Sequence, residues 1–307
     1  MGEYSIQELT SILAMQGFAG ISLFSVLLLM ALGLAIIFGQ MGVINMAHGE
    51  FMAIGAYTTY MLSKMTETYF PELMSYYFIF AIFASFIVAG IVGYFVEFLL
   101  IRHLYKRPLD TLLATWGLSL IMQQMFRSLF GAREVSPTLP DWLMGSYTPT
   151  ETIFIPINGM FVLGLTTLVT LGVFILMYRS SWGLNVRATT QNRMMSGAVG
   201  INTKRTDRLT FALGCGIAGI AGAAFTTIAS TGPTIGSLYI VDTFMVVVFG
   251  GAASLFGTIA SAFTIAQAQS ILEFFISGSM AKVLTLLTLV IILMLRPEGL
   301  FSAKVRK

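Results

Sequence analysis

Residues 9–49 contain no Asp, Glu, Lys or Arg. Within that run the stretch from Ile21 to Phe38 is almost wholly apolar. A helix crosses the roughly 30 Å hydrocarbon core of a bilayer with about 20 apolar residues, so this run is long enough for one span and a polar tail. The pattern recurs at 73–96, 111–126, 152–178, 209–241, 243–272 and 283–295, each free of those four residues. A soluble domain carries about 25% charged residues, whereas this chain of 307 residues carries 10% and is 56% hydrophobic. A surface so poor in charge has lipid as its main solvent.

The expected fold is an all-α, polytopic transmembrane helical bundle, one domain over 1–307, with some segments broken or re-entrant. About eight embedded segments are expected, at 18–39, 48–63, 77–101, 110–130, 157–178, 209–230, 240–260 and 280–296. The piece 262–277 is apolar enough to span or re-enter, which makes nine. Met1 to Gln16 lacks the positive region of a cleaved signal peptide and carries Glu3 and Glu8. It reads as a retained amphipathic helix at the surface.

Lys and Arg in short loops set orientation. Arg102, Lys106 and Arg107 follow the third segment. Arg179, Arg187, Arg193, Lys204, Arg205 and Arg208 fill the loop 179–208, and Arg296, Lys304, Arg306 and Lys307 follow the last segment. These regions, the C-terminus included, are expected in the cytoplasm. Loops 64–76 and 131–156 mix both signs and belong outside.

Several function classes are excluded at this level. A net charge of +3 without a long basic run does not suit a nucleic-acid phosphate backbone. One cysteine, Cys215, allows no internal disulfide framework and sits in an apolar run. His48 and Glu50 lack the spacing of a zinc-binding helix, so no metal site is expected. No Gly-rich loop ends in Lys-Ser or Lys-Thr, so the chain does not itself cradle nucleotide phosphates.

Four features carry polar chemistry into apolar surroundings. Between Gly39 and Glu50 stand Gln40, Asn45, His48 and Glu50, costly against lipid. They line a broken helix along a pathway, or they form an ordinary turn in water. From Pro108 to Gln124, Thr115, Trp116, Ser119 and Gln123 put polar atoms on an apolar helix. Ser119 and Gln123 share a face at four-residue spacing, for bonding another helix or for contacting a solute. Asp242 caps a following helix at the outer interface, or lies deep and lines the path. Arg187 to Asn202 reads as one cytoplasmic helix with an apolar stripe of Ala188, Met195, Ala198 and Val199. Gly197 and Gly200 stop or bend it. It offers a docking surface for a soluble partner, or lies on the headgroups. Glu97 and Glu273 lie near helix ends and are expected to snorkel, or to pair with Arg102 and Lys282. Gly214, Gly216, Gly219 and Gly222 suit close helix packing.

At these residues the chain resembles a known family. Gly39 to Glu50 with Gly55-Ala56-Tyr57, the loop ending Gly200-Ile201-Asn202, and the tail Arg296-Pro297-Glu298-Gly299-Leu300-Phe301 are similar to the LivH-like, branched-chain amino-acid-type permeases of ABC importers. The resemblance covers essentially the whole chain. Arg107 to Leu120 and Gly39 to Gly42 are similar to the urea-transport subgroup of that family. The resemblance implies a permease in the bacterial inner membrane, not an enzyme, carrying urea by alternating access. It further implies a second permease subunit, two ATPase subunits that hold ATP and Mg, and an external substrate-binding protein, with no cofactor in this chain. Coupling to the ATPases would run through Arg187, Ala188, Met195, Gly197, Gly200, Ile201 and Asn202. A branched-chain amino acid is the alternative cargo, and a passive urea channel is a more distant alternative.

Overall fold

The computed structural model describes residues 6–105, 107–150, 153–251, 254–296 and 299. Among them lie the helices α1 (Ile6–Met41), α2 (His48–Tyr69), α3 (Tyr77–Leu99), α4 (Pro108–Phe130) and α5 (Ile157–Arg179). They are followed by α6 (Ser181–Gln191), α7 (Arg193–Ala198), α8 (Thr203–Phe225), α9 (Ile235–Gly250), α10 (Leu255–Phe275) and α11 (Gly278–Leu295). The bundle is helical with one departure from the all-α expectation. A short antiparallel hairpin, β1 (Ser146–Thr150) and β2 (Ile153–Pro156), sits in the α4–α5 connection. Most of the tail motif from Pro297 onward, with Lys304, Arg306 and Lys307, lies outside the described residues, as do Lys106 and Glu151.

Among the described residues, six helices, α1, α3, α5, α8, α10 and α11, are long and apolar enough to cross a membrane. That is fewer than eight or nine. Helices α2 and α4 have 22 and 23 residues, enough length to span, but their polar residues keep them out of that set. The expected segment 240–260 is two pieces. Helix α9 ends at Gly250, and Ser254 caps α10 by accepting the Gly257 amide at 3.0 Å. At 16 residues, α9 is about 24 Å long. The piece 262–277 instead falls largely within α10, a full span. The N-terminal surface helix is not separate either. Residues from Ile6 onward continue into α1, which reaches 36 residues, and Gln16 bonds Ser270 on α10.

Helix α8 runs through the centre, because its small residues admit other backbones. A Cβ at Gly214 would lie 2.6 Å from the Gly33 carbonyl oxygen. One at Gly219 would lie 2.4 Å from that of Ser85, and one at Gly222 would lie 1.9 Å from that of Met52. Helices α1, α2 and α3 therefore press directly on α8. The outer helices show exposed apolar residues instead, such as Phe80 and Phe83 on α3, Leu168 and Ile175 on α5, and Met294 on α11.

The two ends of the bundle differ as the loop charges imply. At one end the Arg-rich connections meet: Arg208 pairs with Glu97 at 3.1 Å, and Arg193 pairs with Asp207. At the other end the α4–α5 connection is tied down. Val135 and Thr231 exchange backbone hydrogen bonds of 2.9 and 2.8 Å, and the Tyr77 hydroxyl donates to the Thr138 carbonyl at 2.6 Å.

Candidate functional site

Helix α1 stops at Met41, where Gly42 takes φ +63. A left-handed φ costs little only for glycine, so Gly42 fixes the break. The chain then runs without helix to Ala47 and restarts at His48. The restart lies at half-height in the bundle. The His48 Nε2 meets the Met30 carbonyl at 3.2 Å, midway along the apolar part of α1. A Cβ on Gly33 would touch the His48 ring at 3.2 Å, and Gly33 faces Gly214, the middle residue of α8. Glu50 Oε1 accepts 2.9 Å hydrogen bonds from Ser119 Oγ and Gln123 Nε2, and Ser119 is the middle residue of α4. Non-helical backbone at this depth survives only inside protein or beside a polar cavity. Here α1, α4, α8 and α9 surround it. The closest approach is Gly49 to Gly236, where a Cβ would lie 2.1 Å from a backbone oxygen.

Burial leaves this segment short of partners. Gln40 Oε1, Asn45 Nδ2, His48 Nδ1, Glu50 Oε2 and Tyr57 OH are all buried without a hydrogen-bond partner. Leaving such a group unsatisfied costs about 1–3 kcal/mol each. Three further atoms of this kind are scattered on Thr170, Trp182 and Thr231. No Lys or Arg pairs with Glu50 among the described residues. The concentration between Gln40 and Tyr57 makes this stretch the strongest candidate for meeting a polar solute.

The structure brings together several of the sequence candidates. Glu50, Ser119 and Gln123 form one hydrogen-bonded cluster and Thr115 bonds the break beside it, whereas Asn45 accepts the Ala47 amide within the break and His48 turns the other way, to Met30 of α1. Thr115 Oγ1 accepts the Met46 amide at 3.1 Å, and Ser119 also bonds Gln123 at 3.1 Å. Trp116 does not join them. One residue on from Thr115, it points away and is 53% exposed. Gln40 lies nearer the Arg-rich end, where its amide donates to Asp207 Oδ1 at 3.1 Å. Asp242 is no helix cap, because α9 begins at Ile235 after Thr234. Its carboxylate is buried and pairs with Lys282 of α11 at 2.7 Å, so Lys282 is not free for Glu273. Glu273 instead accepts from Gln269 at 3.2 Å, and Arg102 stacks over Phe98 rather than pairing with Glu97.

The long connection is two helices, not one. Asn192 adopts an extended backbone and caps α7 by accepting the Met195 amide at 3.0 Å. Ala188 therefore lies on α6, half-buried, while Met195, Ala198 and Val199 are exposed on and after α7. The expected single stripe does not form. Arg187 belongs to α6, bonding the Met177 carbonyl at the end of α5 and stacking over Tyr178 at 5.2 Å. Gly197 is exposed, Gly200 turns the chain with φ +89, and Ile201 is half-buried. Asn202 starts α8 by accepting the Arg205 amide at 3.0 Å.

Sequence reading overlooked Asp207 and Tyr105, and took Tyr57 only as part of a family motif. Asp207 is fully buried and is the only carboxylate between Arg179 and Asp242, a signal that was present in the sequence. Tyr57 stacks on Phe130 at 4.2 Å. Tyr105 donates to Glu97 at 2.6 Å, and burial followed by that bond pushes its phenol well above the usual range. Among the described residues, no group of three His, Cys, Asp or Glu could hold a metal ion.

A bundle of membrane-crossing helices with a polar break at its centre defines a membrane transport component. Residues 17–293 match the family described as "Branched-chain amino acid transport system / permease component", and the chain belongs to that family. It is similar to the high-affinity branched-chain amino acid transport system permease protein LivH of Salmonella typhimurium, 26% identical over 94% of each chain. It is also similar to the permease protein BraD of Pseudomonas aeruginosa, 27% identical over 92% of this chain and 94% of the relative. A probable LivH of Methanocaldococcus jannaschii is 24% identical over 92% of this chain and 90% of its own. No solved structure matches.

Proposed function

We propose that the chain is the membrane-spanning subunit of an ATP-driven importer and carries a branched-chain amino acid by alternating access. It acts as one domain in the bacterial inner membrane, with its C-terminus in the cytoplasm. A second permease subunit, two ATPases holding ATP and Mg, and an external binding protein complete the machine. The family description and the names of the relatives support this cargo. The single structural observation that supports it is Glu50 Oε2, a buried carboxylate oxygen at half-height with no partner. An amino acid's ammonium group supplies the missing donor and charge. The break at Gly42 lets residues 42–47 shift between the two ends without unwinding a continuous helix. Exposed α7 is the surface for an ATPase, with Met194, Met195 and Val199 outward.

A second reading, urea, has its own support in the stretch Arg107 to Gly117 and in the neutral donors and acceptors of Gln40, Asn45, Thr115, Ser119 and Gln123. Urea is a neutral solute that asks for amide and hydroxyl partners. Uptake of labelled leucine and labelled urea, in a strain lacking its own copy of the chain, separates the two. The amino-acid reading predicts leucine uptake that Glu50→Gln slows sharply, because the ammonium loses its counter-charge. Urea uptake that survives Glu50→Gln, with no leucine uptake, would replace it with the urea reading.

A further inference from the structure

We propose that Asp207 is a positioning residue that ties the cytoplasmic helix α7 to the broken end of α1, so that movement of α7 is passed to the segment lining the path. This rests on the reading of α7 as the ATPase-facing surface. Three elements meet at this one carboxylate. Arg193, the first residue of α7, forms an ion pair with Asp207 Oδ2. The Gln40 amide, in the last turn of α1 and two residues before the break at Gly42, donates to Asp207 Oδ1 at 3.1 Å. Asp207 itself belongs to α8, the central helix, and is fully buried.

The rest of α7 is held loosely. Of its six residues only Ser196 is buried, while Met194 is 87% exposed and Met195 61% exposed. Its ends are a break at Asn192 and a left-handed turn at Gly200. The Arg193 guanidinium is the side chain that reaches inward, and it also stacks over Tyr105 at 5.2 Å. Tyr105 in turn bonds Glu97, which pairs with Arg208, so the far side of the ion pair is braced against α3 and α8. A buried carboxylate that loses its cation must find another partner or move. When α7 is displaced, Gln40 is the group left sharing Asp207, and Gln40 sits beside the hinge of residues 42–47. Gln40 Oε1 has no partner of its own, so the amide has an unused contact to make after such a shift.

The test uses the importer assembled with its ATPases in proteoliposomes, with Cys215→Ala and a reporter Val43→Cys. Val43 is buried in the break, so its labelling by an impermeant maleimide reports movement of that segment. With Asp207 and Gln40 intact, trapping with ATP and vanadate should change the labelling rate. Asp207→Asn and, separately, Gln40→Met should reduce that change by a factor on the order of 2- to 30-fold, the range of measured coupling energies, while ATP hydrolysis continues. The double variant should be no worse than either single one. Gln40→Met removes the bond without stranding a charge, so it carries the test if Asp207→Asn fails to assemble. An unchanged response in Gln40→Met overturns the proposal. No response in the parent reporter, despite active hydrolysis, instead refutes the reading of α7 as the coupling surface and takes this proposal with it.

Discussion

Alanine at Gly55 should destabilise the bundle even though alanine favours helices. A Cβ there would lie 2.0 Å from the Gly219 carbonyl oxygen and 2.6 Å from the Gly219 Cα and carbonyl carbon. All three are backbone atoms, so no side chain can rotate away. Ordinary contact requires α2 and α8 to separate by more than an ångström. Helix α8 has nowhere to retreat, because Gly219 is itself pressed on the Ser85 carbonyl oxygen of α3, where its own Cβ would sit at 2.4 Å. Overpacking costs typically about 1–3 kcal/mol, and this rigid site belongs at the upper end. The helix-propensity gain of about 1 kcal/mol leaves a net loss of about 2 kcal/mol. Displacing α2 also moves Glu50, one and a half turns earlier on the same helix. The assay is reversible SDS-induced unfolding of the purified protein, followed by circular dichroism. Gly117→Ala is the control: nothing lies within 4 Å of its Cβ, so it should gain about 0.5–1 kcal/mol. A Gly55→Ala protein as stable as the parent would refute the close α2–α8 packing.

Three more outcomes follow from particular contacts. Lys282→Met strands the buried Asp242 carboxylate and should cost about 3–5 kcal/mol; adding Asp242→Leu should recover most of it, read by the same unfolding assay. Tyr105→Phe removes a 2.6 Å bond to Glu97 and should cost about 1.5–3 kcal/mol, the range for a hydrogen bond to a charged group. Gly200→Leu meets no atom within 4 Å but must hold φ +89, at a cost of roughly 1–2 kcal/mol; the protein should still insert while uptake falls, and normal uptake would count against coupling through α7.

The lipid-facing surface was plain in the sequence because hydropathy is a property of single residues. The span count was not, because it turns on how much polarity a helix such as α2 or α4 carries inside the bundle and on backbone breaks that one glycine can make. Gly251 takes φ +90 and divides 240–260, while Gly42 divides the chain earlier. Ser119 and Gln123 could be put on one face from helical spacing alone. Their partner, Glu50, lies on another helix 69 residues away in sequence, which no local pattern reveals. Pairing failed for the same reason: Glu97 met Arg208 at a separation of 111 residues instead of nearby Arg102. Asn192, a strong cap residue, marked the division of α6 from α7, but the apolar spacing of Ala188, Met195 and Val199 hid it.

The most direct test of a polar path at half-height is the initial rate of solute uptake by the assembled importer carrying Glu50→Leu. Leucine has similar bulk and removes both carboxylate oxygens from Ser119, Gln123 and the solute. Loss of a charged hydrogen bond worth about 1.5–3 kcal/mol predicts uptake roughly 10- to 100-fold slower, with the amount of assembled complex unchanged. Uptake within about twofold of the parent, less than 0.5 kcal/mol, would show that Glu50 only holds α2 to α4 and that the solute passes elsewhere.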